Sequence, residues 1–333
     1  MKRREFISLI GGAAASTLLW PRAAPAQPSG RTRRIAVMMS NAEGDPEGES
    51  RAAALRQGLQ DLGWMEGQNL RIDWFWSGAD VAYVRAYAAE LASAAPDLIV
   101  ANGTVNLSAV KQAVRTTPVV FVVLNDPVGQ GFISSLARPG GNITGFTFVE
   151  YSMFGKSLEL LKQAAPAIAR VGFMFNPETA AYYNQFLPAF EDDARRHAVA
   201  ATAARVRSDA EIDAAIAALA AAPVGGLIVP PDTYTLVHRE LIMKAAAQHR
   251  VPVIYSYRQH VKEGGLMSYG PETADIFRRS AAYIDRVFKG ANPGELPAQA
   301  PAKFELAVNL KTATALGLTL PPTLLALADE VVE

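Results

Sequence analysis

Short apolar runs alternate with longer amphipathic segments along the first half of the chain. The short runs are rich in Val, Ile, Leu and aromatic residues, which predicts buried strands. The longer segments repeat apolar residues at spacings of three and four, which predicts helices. The predicted strands are 34–39, 70–76, 97–101 and 119–123, and the predicted helices are 50–62, 81–94 and 105–114. Strands that alternate with helices indicate a parallel sheet covered on both faces.

The same alternation restarts after the Pro- and Gly-rich stretch 138–142, which is typical of a join between two structural units. The predicted helices there are 157–164, 181–197, 209–221 and 235–249, and the predicted strands are 170–175, 199–206, 225–229 and 251–255. Two such series predict an α/β fold of two similar lobes, each a doubly wound parallel sheet. A length of 333 residues agrees with two lobes, because single cores rarely grow beyond about 250 to 300 residues.

A third section contains a predicted strand at 266–269 and a predicted helix at 272–289. It most simply returns the chain to the first lobe, so that several segments cross between the lobes and form a hinge. The predicted division is 27–33 for a linker, 34–145 for lobe 1, 146–265 for lobe 2, 266–300 for the return to lobe 1, and 301–333 for a C-terminal segment near the hinge.

Residues 1–26 have the pattern of an export signal. The pair Arg3-Arg4 precedes a mildly apolar run, 7–20, that is too short and too weakly hydrophobic to span a bilayer. The small residues at 24–26 fit the cleavage pattern of signal peptidase, so Gln27 is the expected first residue of the mature protein. The arginine pair favours the twin-arginine route, which exports folded proteins. An ordinary secretion signal with a chance arginine pair is the alternative, and both routes predict a periplasmic protein.

Charge and cysteine content narrow the possible partners. Residues 1–26 hold four of the 32 basic and one of the 32 acidic residues, so the remaining chain carries 28 basic and 31 acidic residues, a net charge of −3. This balance gives no basic excess for nucleic acid or anionic lipid. Cysteine is absent, which excludes disulfides and thiol chemistry. No later segment has 18 consecutive apolar residues, and we expect a monomer without stable membrane insertion.

Familiar catalytic patterns are missing from the sequence. It has no Gly-x-Ser-x-Gly nucleophile elbow, phosphate-binding loop or dinucleotide fingerprint, and its four histidines lack metal-ligand spacing. We therefore expect no catalytic residue, no metal and no cofactor, and a binding protein in preference to an enzyme.

Polar side chains gather where the predicted strands end. Ligands of open parallel sheets bind beyond the carboxyl ends of the strands, so these side chains predict a ligand site between the lobes. The candidates are Ser40, Asn41, Asn102, Gly103, Thr104, Asn125 and Asp126 in the first lobe, with Asn176, Asp232, Tyr234, Ser256, Tyr257 and Tyr269 after it. The alternative is that these residues only form turns and helix caps.

Some of these candidates suit particular chemical groups. Gly103 and Thr104 precede the predicted helix 105–114, and the free backbone N–H groups and capping hydroxyl there suit a carboxylate. Asp126 suits an ammonium group. Four tyrosines supply flat apolar walls with polar tips; they are Tyr234, Tyr255, Tyr257 and Tyr269.

Several motifs together resemble one bacterial family. They lie at 62–70, 126–128, 135–145, 176–177, 264–270 and 303–313, and they cover essentially the whole chain after the export signal. Three of them read SLARPGGNITG, GGLMSYG and KFELAVNLKTA. By these motifs the sequence resembles the ABC-transporter substrate-binding proteins of the type I periplasmic-binding fold. The resemblance is to the branch whose better-known members take up tryptophan, phenylalanine or tyrosine.

The resemblance implies a two-lobed clamshell that delivers a small-molecule ligand to a membrane permease driven by a cytoplasmic ATPase. It implies that Gly103 and Thr104 lie in the cleft, that Asp126 faces the ligand's amino group, and that Asn176 and Asp232 approach from the second lobe. An amino acid or a related carboxylate is the implied ligand. A ligand-sensing module that presents the same clamshell to a membrane signalling protein is the alternative function.

Overall fold

The computed structural model describes residues 31–149, 151–221 and 225–333. The predicted export signal and most of the predicted linker lie outside these residues. Residues Thr32–Glu333 form one compact unit, and this unit contains two β-sheets. Within the described residues, no helix combines the length and the apolar character that crossing a membrane requires.

The first half of the chain forms a five-stranded parallel sheet in the order β2-β1-β3-β4-β5. Its elements are β1 (Arg33–Met39), α1 (Pro46–Asp61), β2 (Leu70–Trp76), α2 (Val81–Ala94), β3 (Leu98–Asn102), α3 (Gly103–Ala113), β4 (Val119–Leu124) and β5 (Ile143–Thr147). The central strands are buried along nearly their whole length, because helices cover both faces of the sheet. Local signals fix where the helices start. In α1, Asp45 caps the helix by accepting a hydrogen bond from the Gly48 N–H, and Pro46 is the first helical residue.

The second sheet has seven strands in the order β12-β11-β10-β9-β8-β6-β7. The elements up to the point where the chain crosses back are α4 (Ser152–Ala164), β6 (Arg170–Phe175), α5 (Tyr183–Arg196), β7 (Ala200–Arg205), α6 (Asp209–Ala220), β8 (Gly225–Val229), α7 (Thr233–Val237), α8 (Arg239–His249), β9 (Val253–Tyr255), α9 (Arg258–Lys262) and β10 (Met267–Gly270). The chain ends with α10 (Thr273–Phe288), a short 3₁₀ turn, β11 (Glu305–Asn309), α11 (Leu310–Ala315), α12 (Pro322–Leu327) and β12 (Glu330–Val332). The strand β11 runs antiparallel to β10.

Apolar cores lie on both faces of each sheet. One core fills the space between the first sheet and the pair α2 and α3. Another lies between the second sheet and the pair α6 and α8. The largest core packs α1 and α10 on the other face of the first sheet and continues to α4 and α5 on the second. The predicted fold class, two doubly wound α/β lobes joined by several chain crossings, is confirmed.

The return of the chain to the first lobe differs from the prediction. The predicted return segment 266–300 begins with β10, but β10 pairs with β9 and β11 in the second sheet. The segment from α10 to residue 299 crosses back: α10 packs on α1, β4 and β5, and Gln299 exchanges backbone hydrogen bonds with Gly145 and Thr147. The expectation failed at β10 because its antiparallel partner β11 lies in the C-terminal segment, for which no strand was predicted.

The join between the lobes also lies later than the stretch 138–142. That stretch precedes β5, which is the edge strand of the first sheet, so the first crossing follows residue 147. Gly145 and two threonines give β5 (ITGFT) little of the apolar character that marks the other strands. The predicted helix 235–249 is in fact two helices, α7 and α8, that meet at His238.

Candidate functional site

A small cavity lies where the carboxyl-end edges of the two sheets face each other. Its volume is about 20 Å³, which is room for one water molecule. The lining residues are Ser40, Arg51, Asn102, Gly103, Thr104, Val123 and Asn125 from the first lobe and Thr179, Tyr182, Pro231, Asp232, Thr233, Leu236 and Tyr257 from the second. The two lobes therefore meet here, and a larger molecule enters only when they separate.

Asn102 ties together the strand ends on the first-lobe side. Its side-chain Oδ1 accepts a hydrogen bond from the Ser40 backbone N–H at 3.1 Å, and its carbonyl accepts one from Ser40 Oγ at 2.7 Å. The Asn106 amide donates to the same carbonyl at 2.8 Å and to the Met38 carbonyl at 3.1 Å. These bonds fix the loop after β1 against the start of α3.

The N-terminus of α3 points backbone N–H groups toward this edge of the sheet. Asn102 occupies the cap position of α3 without a side-chain capping bond, and first-turn N–H groups have no partner inside their own helix. Gly103 has a φ of +79°, and a Cβ there would lie 2.9 Å from Ser40 Oγ and 3.7 Å from Thr233 Oγ1 of the other lobe. A side chain would therefore be strained at this position, where the lobes approach closely.

Arg51 of α1 brings a buried positive charge to the cavity. The side chain is 1 % exposed; Nε donates to Glu47 Oε1 at 3.0 Å and Nη1 donates to Asn41 Oδ1 at 3.2 Å. Nη2 is buried and has no hydrogen-bond partner among the described residues. The ring of Tyr257 from the second lobe lies against the guanidinium, with 5.1 Å between Cζ and the ring centroid.

Asp232 brings a buried carboxylate from the second lobe. It accepts hydrogen bonds from the Asn176 N–H at 2.8 Å, from the Tyr234 N–H at 3.1 Å and from the Thr179 hydroxyl. Burial raises the pKa of Asp232 to about 6, although these donors act in the opposite direction. No cationic side chain of the described residues pairs with it.

Asn125 connects the lobes directly. Its Nδ2 donates to the Tyr182 hydroxyl at 2.8 Å and to the Pro231 carbonyl at 3.2 Å, both in the second lobe. Its Oδ1 is buried without a partner among the residues described here. Burial raises the pKa of Tyr182 far above its ordinary value, so this hydroxyl stays protonated and available for hydrogen bonds.

An ion pair also links the lobes beside the cavity. Asp45, at the start of α1, lies 2.7 Å from Arg239 Nη2 of α8. Arg239 Nε lies 2.7 Å from Glu263 Oε2 of its own lobe, and all three side chains are largely buried. The neighbouring carboxylates raise the pKa of Arg239 despite its burial, so the guanidinium remains charged.

Of the predicted site residues, the structure brings seven to the cavity lining: Ser40, Asn102, Gly103, Thr104, Asn125, Asp232 and Tyr257. Asn41 lies behind the lining, where it holds Arg51. Asn176 holds Asp232 through its backbone and accepts from the Glu178 N–H at 2.7 Å. The Ser256 hydroxyl donates to the Val229 carbonyl at 3.2 Å. The last two residues therefore support the loops of the second lobe.

Three other predicted residues do not line the cavity. Asp126 accepts a hydrogen bond from the Gly129 N–H at 2.8 Å and one from the Tyr151 hydroxyl. Tyr234 stacks on His238, with ring centroids 4.0 Å apart. Tyr269 stacks on Phe304 at 5.7 Å, within the second lobe. The predicted tyrosine wall thus reduces to Tyr257, with Tyr255 buried in the core.

Sequence reasoning missed several lining residues. Arg51 and Tyr182 belong to α1 and to the turn before α5, and nothing in their spacing separates them from ordinary helix residues. Thr233 lies between the predicted residues Asp232 and Tyr234, and Thr179 and Leu236 lie three and four positions after Asn176 and Asp232. A search that extended four positions beyond Asn176 and Asp232 would have found these three.

The arrangement is that of a two-lobed binding protein, and sequence comparison gives the same class. The model of the family described as ABC transporter substrate binding protein matches residues 36–332. The chain therefore belongs to this family of ligand-binding transporter components, which is not a class of enzymes. The resemblance inferred from the motifs is confirmed.

Particular relatives are known in sequence and in structure. The tyrosine-binding protein of Clostridioides difficile (strain R20291) is 26 % identical over 258 residues, which is 78 % of this chain and 74 % of that protein. The crystal structure of a conserved domain protein from Vibrio cholerae superposes with a TM-score of 0.83 at 26 % identity, covering 90 % of this chain and 100 % of the other.

Two further structures share the fold. An ABC domain in complex with L-Trp from Streptococcus pneumonia has a TM-score of 0.82 at 24 % identity and covers 90 % of this chain and 100 % of the other. The ligand-free, open structure of the substrate-binding protein CD0873 from Clostridium difficile has a TM-score of 0.66 at 23 % identity, with 90 % and 99 % coverage.

Proposed function

We propose that this protein is the periplasmic solute-binding receptor of an ABC importer. It holds an amino acid or a related carboxylate between its lobes and delivers it to a membrane permease driven by a cytoplasmic ATPase. The observation that carries the proposal is the buried polar cavity, which both lobes line at the carboxyl ends of their strands. Membership of the substrate-binding family supports the transport role. Export through the twin-arginine route stays a prediction from residues 1–26.

Lobe closure is the working step of the proposal. A ligand that contacts both lobes binds the closed form more tightly than the open form, so it shifts the population toward closure. The cavity volume of about 20 Å³ and the direct contacts of Asn125 with Pro231 describe lobes closed on each other without a ligand, and an amino acid needs them further apart. The higher TM-score with the L-Trp complex than with the open, ligand-free structure agrees with lobes that are nearer to the closed than to the open form.

The chemistry of the lining supports an amino acid. Asp232 is a buried carboxylate without a cationic partner among the described residues, so an ammonium group of the ligand would supply the missing charge. Tyr182 and Tyr257 offer aromatic surface for an apolar side chain. The relatives that bind tyrosine or are solved with L-Trp support an aromatic side chain.

Thermal unfolding with a panel of ligands tests the proposal. We expect one or more of L-tryptophan, L-tyrosine and L-phenylalanine to raise the melting temperature, because a ligand that binds only the folded state stabilises it by about 2.7 kcal/mol at 100 times its Kd. Calorimetry should give a single site. A panel of sugars and polyols is the matched negative set, because more distant structures of the same fold contain such ligands.

Uptake measurements test the transport role separately. Deletion of the coding sequence should abolish high-affinity uptake of the amino acid that stabilises the protein, and the ligand should be recovered unchanged. Stabilisation by sugars or polyols but by no amino acid would contradict the proposed ligand class. Normal uptake in the deletion strain would contradict the transport role and favour a sensing role.

A further inference from the structure

Arg51 is the one side chain of the described cavity lining that carries a fixed positive charge. Of the described lining residues, Asp232 is the charged group of opposite sign, and it lies on the opposite lobe. The amide Oδ1 of Asn125, on the same lobe as Arg51, is a buried acceptor without a partner among the described residues. The cavity therefore presents an unpaired donor and an unpaired acceptor on the first lobe and a carboxylate on the second.

The contacts of Arg51 leave one edge of the guanidinium free. Glu47 and Asn41 take Nε and Nη1, and no described residue takes Nη2. An unpaired buried donor is costly, and guanidinium nitrogens bind carboxylates through charge-assisted hydrogen bonds. The natural partner for Nη2 is thus an anionic group that arrives from the cavity.

Arg51 is also held rigidly in place. Glu47, which pairs with it, accepts a hydrogen bond from the Thr273 hydroxyl at the start of α10. The face of the guanidinium is covered by Tyr257, which belongs to the other lobe. The surroundings of Arg51 are therefore completed only when the lobes close, and an anion bound there contributes to closure.

We infer that Arg51 binds the carboxylate of the ligand and selects for ligands that carry one. The inference rests on the proposed amino-acid function and deepens it: the recognised class is a zwitterion, with its carboxylate toward α1 and its ammonium group toward Asp232. The N-terminus of α3 borders the same cavity and adds backbone N–H groups, but it does not supply the fixed charge.

The experiment compares acids with their amides. L-tryptophan, L-tyrosine and L-phenylalanine are titrated calorimetrically beside the corresponding amides, which keep the ammonium group and the side chain but lose the negative charge. Wild-type protein should bind the acid about 100-fold more tightly than the amide, since unpaired buried charges commonly cost that much. In Arg51→Gln this preference should fall to roughly tenfold or less, and Arg51→Lys should keep an intermediate preference.

Arg56→Gln is the matched control. Arg56 lies on the same helix, but its side chain is 42 % exposed and contacts Glu66 and the Trp74 ring, so the preference for the acid should stay unchanged. Melting temperatures of all variants report whether each one folds. If Arg51→Gln does not fold, the ratio of acid to amide affinity is compared between the wild-type protein and Arg51→Lys, and an unchanged ratio overturns the inference.

The outcomes separate the two proposals. Equal affinity of wild-type protein for acid and amide overturns the inference about Arg51 while the amino-acid function stands. An unchanged preference in Arg51→Gln overturns it as well. Failure of the wild-type protein to bind any of the acids or amides overturns the proposed function, and the role of Arg51 falls with it.

Discussion

At the scale of single residues, Asp232 serves the fold and the site together. Its carboxylate caps α7 through the Tyr234 N–H and fixes the loop after β6 through the Asn176 N–H and the Thr179 hydroxyl. The side chain is only 4 % exposed, so its negative charge is poorly solvated. Asp232 therefore positions two loops of one lobe, and its charge responds to a group bound between the lobes.

The raised pKa of Asp232, about 6 against an ordinary 3.8, predicts a pH-dependent stability. Between pH 4 and pH 6 the unfolded chain loses its proton at this position first, so the folded state binds more protons and its stability falls as pH rises. The fall amounts to about 3 kcal/mol, at about 1.4 kcal/mol for each pKa unit. Below pH 4 this contribution is fully present, and above pH 6 it is lost.

Asp232→Asn isolates this effect, because asparagine stays neutral across the range. The free energy of unfolding of each protein is measured in urea at pH 4 and pH 7. The value for the variant minus the value for the wild type should be about 3 kcal/mol larger at pH 7 than at pH 4. Asp80→Asn, at the exposed cap of α2, is the control for the substitution itself. The nearby tyrosines Tyr182, Tyr183 and Tyr257 have raised pKa values and stay neutral throughout. A constant difference would show that Asp232 titrates normally.

The sequence located the part of the site that local rules determine. Ser40, Asn102 and Asn125 follow strands, and the rule that parallel strands present their carboxyl ends together was enough to find them. Arg51 reaches the cavity from within α1, which depends on how that helix packs. Tyr269 follows the same local rule as Ser40, yet its strand lies beyond the cavity edge, because strand order is a tertiary property.

At the scale of elements, the close contact of α1 with α10 depends on a glycine. A Cβ at Gly58 would lie 2.5 Å from the Arg278 carbonyl oxygen and 3.0 Å from Ala281 Cβ of α10. The Arg278 oxygen is backbone and belongs to the helix opposite, so it cannot move without shifting α10. Gly58 therefore allows the two helices to approach closely enough to cover the first sheet.

Gly58→Ala should destabilise the protein, although glycine-to-alanine changes inside helices ordinarily stabilise. The gain in helix propensity is about 1 kcal/mol, and overpacking of this kind costs about 1 to 3 kcal/mol, so the melting temperature should fall. Ala53→Gly, at an exposed position of the same helix, should also lower it, by the ordinary propensity loss. A higher melting temperature for Gly58→Ala would mean that α10 adjusts easily.

Element prediction succeeded where the pattern is long and failed where it is short. The bounds of β2, α2 and β6 match the sequence prediction residue for residue, because each is a full apolar or amphipathic run with a turn at both ends. The strand β12 has three residues, and β11 mixes Glu305 and Asn309 with apolar residues. Such segments become strands only because β10 offers an open edge, and no local pattern shows that.

At the scale of the whole molecule, the Asp45–Arg239 pair favours closed lobes without a ligand. Both side chains are largely buried when the lobes are closed, and Glu263 keeps Arg239 oriented. Opening would separate Arg239 from Asp45 but not from Glu263. The pair therefore contributes to the balance between open and closed forms, in addition to any ligand.

Arg239→Gln should shift this balance toward the open form. Without its partner, Asp45 becomes a buried, unpaired charge in the closed form, and breaking such a pair commonly costs about 3 to 5 kcal/mol. The radius of gyration of the ligand-free variant should rise in solution scattering, and its affinity for the stabilising amino acid should fall at least tenfold. Glu263→Gln, which removes only the partner within the lobe, should change both quantities less. Equal effects of the two variants would show that the pair does not act between the lobes.

The position of α10 late in the chain has a consequence for biosynthesis. The apolar stripe of α1, with Leu55 and Leu59, shares its core with Ile276, Phe277 and Ile284 of α10, so it stays exposed until about residue 288 has left the ribosome. By then the strands β6 to β10 of the second sheet have been made. The half synthesised first thus waits for a helix that follows most of the second lobe, and a nascent chain released before α10 would present a bare hydrophobic surface to chaperones and proteases.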